Sequence, residues 1–146
     1  MTIHARDLPN WILAQDGEPE LEALYERHYS ARKHESRQSS KFAGPGETVC
    51  LTTARRDALF VWRKFLDASG QDGINCAVFR NEGQSRSSDL IREADAVAAH
   101  CWPGERHYTY VRGSAVRSRN PGYCFICAGW RRCGMTKGGL LILDRI

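Results

Sequence analysis

The stretch SSDLIREADAVAAHC, residues 87–101, constrains the fold more than any other part of the chain. Leu90, Ile91, Ala94, Val97, Ala98 and Cys101 fall on one stripe at helical spacing, with Ser87 as the expected N-cap. Immediately before it, INCAVF (74–79) reads as a strand that ends in the polar, glycine-containing loop RNEGQSRSS. A strand, a loop and an amphipathic helix in succession point to an α/β chain.

The other segments fit that class. A first helix is expected from Pro19, since proline is tolerated at an initial helical position. Leu21, Leu24, Tyr25 and His28 then share a stripe. The basic segment that follows carries Ser36, Ser39 and Ser40 and reads as a loop closed by the Gly44-Pro45-Gly46 turn. ETVCLTT (47–53) and ALFVWRKF (58–65), separated by ARRD, predict an antiparallel hairpin, and a turn at Gly70–Gly73 leads into strand 74–79. HYTYV (107–111) is a further strand, Pro121 opens a short helix, and GLLILDR (139–145) closes the sheet. The expected architecture is an α/β sandwich on a mixed β-sheet, with all 146 residues in one domain. Within it, 17–41 form an N-terminal helix and basic loop, and 47–146 the sheet core.

No apolar run is long enough to span a bilayer, and MTIHARDLPNWIL lacks a signal-peptide layout. A cytoplasmic protein with no membrane partner is therefore expected, and its six cysteines are expected as thiols. Cys50, Cys76 and Cys101 sit singly in apolar patterns, as small core residues do.

The formal charge of +4 is unevenly spread. Arg27, Arg32, Lys33, Arg37 and Lys41 crowd residues 27–41 against the single acid Glu35. Arg112, Arg117, Arg119, Arg131 and Arg132 bracket the segment NPGYCFICAGWRRCG (120–134). Clustered cations with interleaved His and Tyr suit a polyanion, either nucleic acid or a cofactor phosphate; a solvated surface is the plain alternative.

The loop after strand 74–79 is the best anion site in the text. Free N–H groups at a helix start carry partial positive charge, and Arg80 and Arg86 add full charges. The GxxxxGK[ST] phosphate loop and the dinucleotide fingerprint are both absent.

With the element order, Arg80-x-x-Gly83-x-Ser85 and the later Asn120, Phe125 and Gly129-Trp130, residues 47–146 resemble the GCN5-related N-acetyltransferase (GNAT) superfamily. FRNE with SSDLI, VRSRNPG and GWRRCGMTKGGLLIL resemble its Mom-like group of phage DNA-modification proteins. The resemblance implies a GNAT-like sheet, an acetyl-CoA or related acyl-CoA donor, double-stranded DNA as partner and the adenine exocyclic amine as acceptor. Iron has been linked to that group. The resemblance makes Arg80, Glu82, Gly83, Ser85, Ser87 and Ser88 the donor loop, with Ser118 and Asn120 orienting amide groups beside it. His28, Tyr29 and Ser30 border the acceptor cleft, where His28 or Tyr29 would be a general base or positioning group. Arg32, Lys33, Arg37, Lys41 and Arg117 would meet DNA phosphates. Tyr29, Tyr108, Tyr110 and Trp102 are candidates to stack on an extruded base, with core packing favoured for Trp102. Two departures stand out. Serines replace the usual glycines of the loop, and Phe125 replaces a tyrosine acid, with Tyr123 about 160° away around a helix.

Zinc requires four ligands, and Cys124, Cys127 and Cys133 supply one CxxC pair and a single. Cys124 and Cys127 are read as packing residues of the short helix, with Cys133 near a helix exit at Gly134. The competing functions are a protein or small-amine N-acetyltransferase and a non-catalytic, zinc-containing nucleic-acid-binding module.

Overall fold

A computed structural model describes residues 8–28, 41–66, 70–113 and 122–146. They form a mixed sheet with helices on both faces. The strands are β1 (Ile12–Ala14), β2 (Glu47–Thr52), β3 (Ala58–Lys64), β4 (Ile74–Asn81), β5 (His107–Val111), β6 (Arg131–Met135) and β7 (Leu141–Arg145). The helices are α1 (Pro19–Glu26), α2 (Ser87–Cys101) and α3 (Tyr123–Cys127). Seven strands run in the order β1-β2-β3-β4-β5-β7-β6, and every pairing is antiparallel except β4 with β5.

Burial on both faces explains the continuous apolar text of β3. Phe60 and Trp62 point to one side, into a core shared with Leu90, Ile91, Ala94 and Ala98 of α2, Phe125 of α3 and Trp11. Leu59 and Val61 point to the other, against Leu21, Leu24 and Tyr25 of α1 and Phe42. That alternation is the two-residue period of a strand. The predicted stripes of α1 and α2 are thus the buried faces, and Pro19 occupies the first turn as expected. Trp102 packs into the core and donates its indole N–H to Glu47, 2.9 Å away.

Six expectations are corrected. Ser87 is not the N-cap of α2; Arg86 is, in an extended conformation, and the Ser87 hydroxyl instead accepts from Asn81 Nδ2 at 3.0 Å. Cys101, the last residue of α2, is exposed. His28 lies past the end of α1 and is only half-buried. Tyr108 is fully buried and has no face to offer a base. Cys133 and Gly134 sit on strand β6 rather than at a helix exit, and Cys127 is exposed rather than packed.

The C-terminal strands are stitched by buried carboxylates. Asp144 on β7 accepts from Arg106 Nε at 2.6 Å and from Arg131 Nε at 2.9 Å. Burial alone would raise its pKa, but the two guanidiniums hold it below the usual value. Asp95, buried in the middle of α2, faces His107 Nδ1 at 2.8 Å, accepts the Trp130 indole N–H at 2.9 Å and meets Arg145 at 3.5 Å. One carboxylate therefore pins α2 to β5, β7 and the start of β6.

Candidate functional site

The one parallel seam of the sheet is short. Ile74, Asn75 and Cys76 of β4 pair with His107, Tyr108 and Thr109 of β5, and the pairing stops there although both strands continue. The cause is local. Val61 of β3 faces Val78 and Trp62 faces Cys76, so Ala77 is an extra residue on β4, a bulge. A bulge bends its strand and increases the twist, and here it turns β4 away from β5 one residue after the last rung. Thr109 Oγ1 donates to the Cys76 carbonyl at 2.9 Å and fastens that rung.

Beyond it lies a cavity of about 130 Å³. Its lining joins Cys76, Ala77 and Phe79 of β4 to Thr109, Tyr110 and Val111 of β5, with Gly122, Cys124 and Phe125 from the start of α3 and His28 from the end of α1. Gly122 has φ +79, and a Cβ there would press on Leu143, which accounts for glycine at this wall.

His28 is held in place by an ion-pair cluster. Glu82 takes Arg27 in a bidentate pair, at 2.7 and 2.8 Å, and also accepts from Arg80 Nε at 2.8 Å. Arg80 NH1 donates to the Arg27 carbonyl at 3.0 Å, tying the end of α1 to the end of β4. The two arginines hold the Glu82 carboxyl at about 2. Burial, reinforced by the nearby Arg80 charge, lowers His28 to about 4. Its ring is therefore neutral at pH 7, not poised to titrate there.

The loop between β4 and α2 differs from the expected anion site in its charges. Arg80 is engaged by Glu82, and the Asp57 carboxylate packs where a Gly83 Cβ would stand. Asn81 Oδ1 accepts the Gly83 N–H, Asn81 Nδ2 donates to the Ser85 carbonyl, and Ser85 Oγ donates to Asn10. Ser88 is buried. The loop is thus ordered by its own side chains, and Arg86, exposed at the N-cap, is its cation without a partner among the described residues.

Of the residues expected at the site, His28 reaches the cavity wall, and Arg80 and Glu82 reach it through the ion-pair cluster that holds His28. Gly83, Ser85, Ser87 and Ser88 surround the start of α2. Lys41 is exposed. Tyr29, Ser30, Arg32, Lys33, Arg37, Arg117, Ser118 and Asn120 lie outside the described residues. Phe125 lines the cavity while Tyr123 faces solvent, as their helical spacing requires. Tyr110, Thr109, Cys124 and Phe79 are wall residues that sequence reading did not assign to a donor cleft. Only the alternation of HYTYV and the i, i+3 spacing of the CxxC step hinted at them.

Among the described residues, no three His, Cys, Asp or Glu side chains converge as metal ligands, and no step is assigned to iron or zinc. No described helix is long and apolar enough to cross a membrane. No protein-family model, curated protein or solved structure matches the chain.

Proposed function

We propose that the chain is an acyl-transfer enzyme of GNAT-like, Mom-like type. In this reading it seats an acyl-CoA-type thioester between β4 and β5 and passes the acyl group to the exocyclic amine of adenine in DNA. The observation that carries the reading is the parted parallel seam. Two strand edges that leave off pairing side by side present backbone donors and acceptors to an extended, amide-bearing ligand. The cavity beneath them receives the reactive end, and the start of α2 with Arg86 stands ready for its phosphates.

When bound, the thioester supplies an activated acyl carbon. The amine nitrogen attacks that carbon, the C–S bond breaks and the amine proton passes to solvent on the acceptor side. Tyr110 is the phenol on the wall, and its hydroxyl is the group assigned to return a proton to the leaving sulfur. His28, uncharged, orients the incoming amine. Phe79, Val111 and Phe125 exclude water from the thioester.

Charge supports the DNA side. An open groove of about 670 Å³ lies past the end of β5, lined by Arg112, Gly113, Met135 and Gly138 to Leu141, with no acid among them. Arg112 and Lys137, in the adjoining turn, are exposed there. Together with the basic segment 27–41 they offer cations for phosphates.

The test is mass spectrometry of nucleosides from DNA of cells that express the protein. A heavier deoxyadenosine is expected, absent with Val111→Trp, which fills the cavity, and reduced with Tyr110→Phe. Unmodified nucleosides at high levels of folded protein would contradict the reading. Acetylation of added amines or proteins without a nucleoside shift would replace DNA by another acceptor.

A further inference from the structure

Packing explains only one half of the CxxC step of α3: Cys124 packs against the core, and Cys127 does not. Cys124 is half-buried and lines the cavity, whereas Cys127, three residues on, is exposed. Both are free thiols. The Cys127 thiol, its neighbour on the solvent side, raises the pKa of the Tyr123 phenol.

The helix is short, and its hydrogen bonds mix the i to i+4 spacing, as from Ile126 N–H to the Gly122 carbonyl, with the tighter i to i+3 spacing. Phe125 N–H bonds the Gly122 carbonyl at 2.9 Å and Ala128 N–H is shared between the carbonyls of Cys124 and Phe125. Bonds of the i to i+3 kind tighten a helix so that side chains three apart eclipse. In an ordinary helix such Cβ atoms stand about 5–6 Å apart, and a disulfide needs about 3.5–4.5 Å. A helix of five residues can close that gap by tightening one turn.

We propose that Cys124 and Cys127 form a reversible disulfide that reshapes one wall of the cavity. The chemistry needs a disulfide oxidant such as oxidised glutathione. The Cys127 thiolate attacks one of its sulfurs and releases one glutathione. Cys124, losing its proton to solvent, attacks the Cys127 sulfur and releases the second. Two protein thiols are oxidised and one disulfide is reduced to two thiols. The Cys127 carbonyl is anchored by Arg92, so Cys124 is the partner that moves. Its sulfur leaves the cavity wall, and Phe125, packed against Trp130 at 4.8 Å and Phe79 at 5.9 Å, is drawn with it. Only the consequence for a bound donor rests on the function proposed above.

The full chain is equilibrated in glutathione buffers of rising oxidised fraction, quenched in acid and alkylated, and the tryptic peptide 120–131 is weighed. The expected peptide is unalkylated at both cysteines and lighter by two hydrogens, under buffers in which Cys101 and Cys133 still alkylate. Reductant reverses it, Cys127→Ser abolishes it and Cys133→Ser leaves it intact. A peptide carrying two alkyl groups in every buffer, or Cys127 joined to Cys101 or Cys133, overturns the proposal. Acetyl-CoA should bind the oxidised form about tenfold more weakly than the reduced form. Equal binding by both forms overturns the effect on the wall. Binding by neither form contradicts the donor reading instead, and the peptide mass still decides the disulfide.

Discussion

The two ends of the β4–β5 seam are built from the same two strands yet behave as opposites. At the closed end, three rungs, the Ile74 N–H bonded to the Arg106 carbonyl and the buried Asp95 cluster fix α2, β5, β6 and β7 to one another. At the open end, one extra residue at Ala77 ends the ladder, and the space is walled by groups from four elements. Stability is not uniform across a domain, and here the secured end of the seam stands beside its open end.

The largest expected effect lies at the closed end. Asp95→Ala leaves the Trp130 indole N–H and the His107 ring unpaired and removes the counter-charge of Arg145. A loss of about 3 kcal/mol is expected by urea unfolding. A loss within experimental error would show that the carboxylate does not secure the seam. Asp95→Asn should cost less, since the amide oxygen still accepts one bond.

The next effect belongs to the open end and to pH. His28 is neutral in the fold down to about 4, while an unfolded histidine takes up its proton near pH 6.5. Between those values the unfolded chain binds more protons, so stability falls as pH drops through that window and is fully present above it. NMR titration of the His28 ring should give a midpoint near 4. A midpoint near 6.5 would place the ring in solvent rather than in the cleft wall.

A smaller effect sits at the boundary. Thr109→Val removes the hydroxyl that donates to the Cys76 carbonyl and should cost about 1 kcal/mol. It should also speed hydrogen exchange at the last rung, and unchanged exchange there would argue against Thr109 as its fastener.

The text of the chain carried the scaffold better than the site. The α2 stripe, the β2–β3 hairpin and strand 74–79 were legible because burial writes periodicity into sequence. Strands β1 and β6 were not. Ile12–Ala14 is three residues at a sheet edge, and Arg131–Met135 is exposed along its whole length, so neither alternates. At the site, His28 was visible as a residue near the end of α1, but its neutrality was not, because Arg80 and the surrounding burial come from distant segments. The capture of Arg80 by Glu82, which leaves Arg86 as the cation of the donor loop, was hidden for the same reason. The bulge at Ala77 leaves no mark in INCAVF, since it is a mismatch of register between two strands.

The most direct test of the account is amide NMR of the folded protein during titration with acetyl-CoA. The largest shifts are expected at Ala77–Asn81, Arg86–Ser88 and Tyr110–Val111, with Ile74–Cys76 and His107 unmoved. Shifts confined to other surfaces, or none at saturating ligand, would contradict a donor seated where β4 and β5 part.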